Sequence, residues 1–266
     1  MSAIHQALLS YGGTPSWSPA DLTVPPKIWL NDSSSVTDAG SGACSAWDDI
    51  SGNSYHFTQP ALTRPLIVSG GLNGRRTIRF DGTEDFLVCT VAGALDIMRN
   101  TGAGWMFCVV KKTALDGAAT DRTIFMAPAG TGTSTARFVA NIGNAVSANK
   151  PRLAVRRLDG DGTSTLVATN AVDTNWHSLL FRMDWANGDG FFGLDGAADV
   201  QNLALTTSGN TSNTASLTRL TIGSAGSGTA GFGDIELAEI IVGAGSLPSA
   251  GEITDLFSYA ETRWGL

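Results

Sequence analysis

Three carboxylates stand among apolar residues in Asp234-Ile-Glu236-Leu-Ala-Glu239. Hydrolysis of a glycosidic bond needs two carboxylates facing one sugar, about 5–10 Å apart. On a regular strand alternate side chains share a face, which puts Asp234 and Glu236 together and Glu239 on the opposite side. Glu239 sits among Ile235, Leu237 and Ile241, where an ionised group needs a partner; an arginine or backbone N–H groups are the expected ones. The broken alternation argues for structural carboxylates. The expectation is a protein that is not an enzyme.

Other constellations are weaker still. Asp49-x-Ser51-x-Asn53 offers alternating oxygens in the manner of a calcium loop, without the glycine and distal glutamate of an EF-hand. Asp159 and Asp161 could also chelate, but their Asp-Gly-Asp-Gly run is already explained by hairpin chemistry. His5, His56 and His177 are scattered and no cysteine pairs with them, so zinc has no ligand set. Neither a Gly-x-Ser-x-Gly elbow nor a nucleotide-binding glycine loop is present. His177 follows Trp176 on a strand, faces away from the indole, and reads as a structural hydrogen-bonding group.

The elements that must position these residues are strands. Thr77–Phe80, Phe86–Val88, Trp105–Val110, Thr123–Ala127, Arg137–Ile142, Leu153–Leu158, Ser164–Val167, Trp176–Asp184, Gly190–Asp195, Leu217–Gly223 and Ile235–Val242 carry strand patterns with turn residues between them. Trp105–Val110 is apolar on both alternating faces, which predicts a central strand covered on each side. Asp159–Gly162 and Asn187–Gly190 predict hairpins. Trp47, Trp105 and Trp176 are read as core anchors, because an indole buries a large apolar area. One long helix is predicted at the end: Ser249-x-x-Glu252 has capping-box spacing, and Ile253, Leu256, Phe257, Ala260 and Trp264 recur at helical period. Gly265 stands where a C-cap belongs.

Residues 1–26 differ from the rest. A short helix over Ala3–Leu9 is followed by Pro15, Pro19, Pro25 and Pro26, which predicts an extended arm or linker. Its apolar residues Ile4, Leu8, Leu9, Tyr11 and Trp17 need burial elsewhere, on a neighbouring copy or on the chain's own sandwich. Residues 27–266 then form a single β domain.

Composition narrows the partners. The chain has 266 residues, and its 32 glycines with only 15% charged residues suit a turn-rich β protein. The net charge of -7, with no basic cluster larger than a pair, argues against nucleic acid. No apolar run reaches membrane-spanning length. The N-terminus lacks the basic and apolar regions of a secretory signal, and three unpaired cysteines (Cys44, Cys89, Cys108) suit a reducing compartment. Cys108, inside an apolar run, reads as a small core hydrophobe.

The order of motifs resembles laminin G-like jelly-roll domains of the concanavalin A-like lectin/glucanase superfamily. The resemblance rests on Ala46-Trp47-Asp48-Asp49-Ile50-Ser51-Gly52-Asn53, Arg64-Pro65, Gly74, Arg79-Phe80-Asp81-Gly82 and Phe86-Leu87 in the first half. Trp176-His177-Ser178-Leu179, Phe192-x-Leu194-Asp195-Gly196, Ile222-Gly223, Gly233-Asp234-Ile235, Ala238–Val242 and Trp264-Gly265 continue it, so that residues 27–266 are covered. It implies an all-β, concanavalin A-like jelly-roll sandwich with one C-terminal helix and an extended N-terminal arm. Laminin G-like domains often bind calcium through loop carboxylates, and if calcium binds here the Asp49, Ser51 and Asn53 loop is the place for it; the expectation is otherwise no cofactor. The superfamily's glucanases carry Glu-x-Asp-x-Glu, from which Asp234–Glu239 departs.

One fold hosts many sites, so function is the coarser expectation. It is a non-enzymatic structural or binding protein, a bacteriophage virion component such as a capsid decoration or tail-associated protein. Such a protein is made in the host cytoplasm, located in the virion, and partnered by other virion proteins, by copies of itself or by a host-surface glycan. The alternative is a carbohydrate-binding module or adhesin, with an extracellular location; a glycoside hydrolase comes last. An exposed aromatic pair in one groove marks a sugar binder, whereas facing carboxylates in a cleft mark a hydrolase.

Overall fold

Turn chemistry cuts the chain into short strands, and the computed structural model stacks them as two antiparallel sheets. It describes residues 17–59, 61–116, 121–128, 136–143, 147–199, 205, 207–214, 219–225 and 228–266. In chain order the first strands are β1 (Ile28–Leu30), β2 (Val36–Asp38), β3 (Cys44–Trp47), β4 (Phe57–Thr58), β5 (Leu66–Leu72), β6 (Arg75–Asp81) and β7 (Leu87–Cys89). After a one-turn helix α1 (Ala92–Leu95) come β8 (Ala103–Lys112), β9 (Thr123–Pro128), β10 (Ala136–Ile142), β11 (Pro151–Val155) and β12 (Ser164–Val167). The chain closes with β13 (Trp176–Asp184), β14 (Asp189–Leu194), β15 (Ala197–Asp199), β16 (Leu220–Ile222), β17 (Asp234–Ala244) and helix α2 (Ala250–Trp264).

The first sheet runs β15–β14–β13–β8–β17–β6–β5, with β1 also paired to β17. The second runs β12–β11–β10–β9–β16–β7–β4–β3–β2. Between them lies the main core. Met106, Cys108 and Val110 of β8 point into it, while Trp105, Phe107 and Val109 point outward into a second cluster capped by Leu256, Phe257, Ala260 and Trp264 of α2. This double covering is why β8 reads as apolar on both faces. Strands β1–β5 and β15 carry no comparable signal: most have only two to four residues, too few for a period, and β5 is interrupted by Gly70-Gly71.

Local chemistry fixes α2 as predicted. The Ser249 hydroxyl accepts from the Glu252 amide at 3.3 Å, and Glu252 Oε2 accepts from the Ser249 amide at 2.8 Å. These two bonds satisfy donors that the first helical turn leaves orphaned. Gly265 takes the left-handed conformation at φ 72° and ends the helix.

Residues 17–26 do not leave the domain. A 3₁₀ turn (Pro19–Asp21) leads to Leu22, which is buried beside α2, and the Thr23 amide donates to Glu252 Oε1 at 2.6 Å. The Ser249 amide, and after it this Thr23 bond, hold the Glu252 carboxyl down at about 2. Ile4, Leu8, Leu9 and Tyr11, together with the helix predicted over Ala3–Leu9, lie outside the described residues.

Candidate functional site

Strand β17 does not keep strict alternation. Leu237 stands opposite Val110, but Glu239 stands opposite Val109, so one residue of β17 has no counterpart on β8. This bulge turns Glu239 to the outer face that Glu236 already occupies, correcting the expectation that the two point apart. Glu236 is buried and binds Lys111 Nζ at 3.0 Å and Thr77 Oγ1 at 2.5 Å. Asp234 accepts from the Thr113 hydroxyl at the end of the strand.

Glu239 is fully buried, and its partners are neither arginine nor backbone. Oε1 accepts from Trp29 Nε1 at 2.6 Å, Tyr259 Oη at 2.8 Å and Asn31 Nδ2 at 3.1 Å. Oε2 accepts from Trp264 Nε1 at 2.6 Å. Burial raises the Glu239 carboxyl above its ordinary 4.5 even though all four donors pull it down. The group is thus a clasp joining β1, β17 and α2, with no room beside it for a substrate. No two carboxylates of this run face one open cleft.

The Asp49/Ser51/Asn53 loop is also fully bonded. Asp49 Oδ1 accepts from the amides of Trp29 and Ser51, both at 2.9 Å. Oδ2 accepts from the Ser51 hydroxyl at 2.8 Å and the Tyr55 amide at 3.0 Å. Asn53 turns its amide nitrogen inward, onto Lys27 O at 3.1 Å. The loop staples the start of β1, and a calcium ion there has to displace four donors from Asp49. Among the described residues no three His, Cys, Asp or Glu side chains come together as a metal site.

An open groove lies on α2. It has a volume of about 340 Å³ and is lined by Trp17, Arg75, Asp255, Ser258, Tyr259, Thr262 and Arg263. Trp17 and Tyr259 form its aromatic wall, edge to face at 69° with centroids 6.2 Å apart. Asp32 sets both arginines: it accepts from Arg75 Nη1 at 2.9 Å and from Arg263 Nη2. One carboxylate so orients two planar cations, and Arg75 Nε donates in addition to Arg263 O at 3.2 Å and Arg263 Nη2 to Ser33 Oγ at 3.0 Å. Ser258 and Thr262 add exposed hydroxyls, and Asp255 an exposed carboxylate. An apolar ring surface beside fixed donors and acceptors suits a polyol, whose C–H face stacks while its hydroxyls bond.

Sequence reasoning took the apolar stripe of α2 and passed over this one. Asp255, Ser258, Tyr259, Thr262 and Arg263 also recur at helical spacing, which is the signal that was available. Arg75 and Trp17 carry no such signal, because they reach the groove only through the tertiary fold. Trp176, expected as a core anchor, is half-buried instead, with Lys111 Nζ 4.9 Å from its ring centroid.

No family model and no curated protein matches the chain. Solved structures do match it. The chain is similar to the binding domain of botulinum neurotoxin serotype D at 10% identity and TM-score 0.57, covering 93% of this chain and 55% of that one. It is similar to the CBM40 domain of Ruminococcus gnavus IT-sialidase bound to α2,6-sialyllactose at 18% identity and TM-score 0.52, covering 68% of this chain and 96% of that one. It is also similar to Trypanosoma rangeli sialidase in complex with 2,3-difluoro-KDN at 12% identity and TM-score 0.55, covering 88% of this chain but 32% of that one. What these structures share with the chain is the fold, a two-sheet jelly-roll sandwich.

Two further groups of this jelly roll are structural. All three cysteines are free and buried; burial pushes the Cys44 thiol up to about 12 and raises Cys89 and Cys108 as well, which keeps them protonated and unreactive. His177 lies between two carboxylates, with Nδ1 2.7 Å from Asp195 and Nε2 3.0 Å from Asp173. Burial lowers its pKa, but the bonds and charges of Asp195 and Asp173 outweigh that and raise it above the ordinary 6.5. A raised histidine adds stability that is fully present below pH 6.5 and is lost as pH rises through the folded value. We therefore expect the denaturation midpoint to fall as pH rises above 6.5, and the His177→Gln variant to lack that descending limb. Parallel pH profiles for the two proteins would rule the assignment out.

Proposed function

We propose that this protein is a non-catalytic carbohydrate-binding module that takes its glycan in the groove between Trp17 and α2. The observation that carries this reading is the Trp17–Tyr259 wall beside Arg75, Arg263 and the hydroxyls of Ser258 and Thr262. A sugar binder is expected to show an exposed aromatic pair in one groove; here the two rings share a groove but are half-buried. The carboxylates of Asp234–Glu239 are spent on Lys111, two threonines and the Glu239 clasp, which supports the absence of hydrolysis. The structural neighbours favour the same reading over that of a virion component. One is bound to sialyllactose. Another, at 10% identity and TM-score 0.50, comes from botulinum neurotoxin type C, whose cell entry depends on interaction with two ganglioside molecules. The partner is then a cell-surface glycan.

A glycan array probed with the full chain, including sialyllactose and lactose, tests the proposal. We expect binding to a defined set of glycans without release of reducing sugar. Trp17→Ala removes the stacking ring, and with a contribution of about 0.5–1.5 kcal/mol beyond area burial it should weaken binding roughly three- to tenfold. The melting temperature should fall as well, because Trp17 packs against the outer cluster, so affinity is compared well below that melting temperature. Array silence, or an unchanged affinity in Trp17→Ala, sinks the groove assignment. Cleavage of any bound glycan sinks the non-catalytic part alone.

A further inference from the structure

A second pocket, of about 240 Å³, lies at the far edge of the other sheet, where β11 turns into β12. Arg156 and Arg157 line it together with Asp161, Thr163, Ser164 and Thr207. Neither guanidinium has a carboxylate within 4.0 Å among the described residues. Their partners are neutral oxygens. Arg156 Nη1 donates to Asp159 O at 3.1 Å and its Nη2 to Thr163 Oγ1 at 3.5 Å, while its buried Nε has no partner among the described residues. Arg157 Nε donates to Thr207 Oγ1 at 3.0 Å and its Nη1 to Asn210 O at 3.3 Å. The nearest acid in sequence, Asp159, is committed to Arg137 at 2.6 Å. On a chain of net charge -7 this leaves two adjacent, oriented cations without a counter-charge among the described residues.

Asp161 makes the pocket two-sided. Its Oδ2 accepts from the Leu158 amide at 2.9 Å, which fixes the turn, and its Oδ1 takes no hydrogen bond among the described residues. A bare inorganic anion satisfies the arginines but is repelled by Asp161. A neutral sugar satisfies Asp161 and the hydroxyls of Thr163 and Ser164 but leaves the guanidinium forks unmatched. A ligand carrying both a carboxylate and donor hydroxyls satisfies all of them. The volume holds about one monosaccharide, below the roughly 300–1,000 Å³ of drug-sized pockets.

We infer that the Arg156/Arg157 pocket is a second saccharide site, separate from the α2 groove, that recognises a single carboxylate-bearing sugar. The guanidiniums bind the carboxylate, and Asp161 Oδ1 with the threonine and serine hydroxyls binds the ring hydroxyls. The charge pairing makes the interaction weaken with added salt.

D-Glucuronate, D-glucose and acetate are the probes, because glucuronate combines the other two. They are titrated into the ¹⁵N-labelled full chain while the arginine Nε–H signals are followed. Glucuronate should shift the Arg156 and Arg157 signals and bind roughly tenfold or more tightly than either glucose or acetate. Arg156→Gln and Arg157→Gln should each abolish that preference. Equal binding of acetate and glucuronate reduces the pocket to an anion site and overturns the inference. So does the absence of any shift at these two arginines, or a preference retained in both variants. The three-ligand comparison on the unaltered protein decides the matter even where a variant fails to fold.

Discussion

Replacing Glu239 by alanine should destabilise the protein by about 3–5 kcal/mol, the range for removing one partner from a buried charged network. Four donors converge on this fully buried carboxylate, and alanine removes the acceptor of all four, two of them buried. Glutamine is milder. It turns one oxygen into an NH₂ group, so either Trp264 or the Trp29/Asn31/Tyr259 group loses its acceptor, at a cost of about 1–3 kcal/mol. Chemical denaturation of both variants measures these differences. Because the folded carboxyl is raised above 4.5, its titration favours the folded state below pH 4.5, and that contribution is lost as pH rises through the folded value. Glu239→Gln lacks this limb, so the gap to the unaltered protein should be wider in acid than at neutral pH. A gap that widens towards neutral pH, or an alanine variant as stable as the parent, would show that the clasp does not hold the helix.

Gly223→Ala should cost about 2–5 kcal/mol, the sum of a strained backbone and an overpacked core. The residue follows β16 at φ +84°, and a Cβ there stands 2.2 Å from Cδ1 of Phe80, a ring with no exposed surface. Ordinary carbon contacts begin about 3.5 Å apart, so the ring or the strand end has to move. Gly245→Ala separates the two causes. It has φ +101° and nothing within 4 Å of the added carbon, so it carries the strain without the clash. Its melting temperature should fall by less than that of Gly223→Ala. Equal losses would mean that the Phe80 contact contributes nothing.

These two sites mark where sequence reasoning stopped. Gly223 sits in a motif visible in the sequence, Ile222-Gly223, but its need for glycine comes from a ring 143 positions away on β6. Glu239 was legible as a buried carboxylate needing a partner. Its partners were not, because Trp29, Asn31, Tyr259 and Trp264 meet only when β1, β17 and α2 assemble. A one-residue bulge, which no alternation pattern announces, then reversed the face on which it lies.

What the sequence determined is the part governed by interactions within a few residues: strand alternation, the Asp-Gly turns, the capping box at Ser249 and Glu252, and the left-handed stop at Gly265. Each depends on backbone geometry and on bonds that close over four positions or fewer, so residue types at fixed spacing suffice. The tertiary structure decided which polar groups are spent and which are free. Arg156-Arg157 and Arg75-Arg76 look alike in the sequence, yet the fold brings Asp32 to Arg75 and leaves the first pair facing neutral oxygens. Trp17 gained a ring partner 242 positions away, whereas Trp176 was left half-buried at the edge of the outer cluster. Charge pairing and ring contact act over a few ångströms between residues distant in the chain, and only the packing of sheet against sheet and helix against sheet sets those distances.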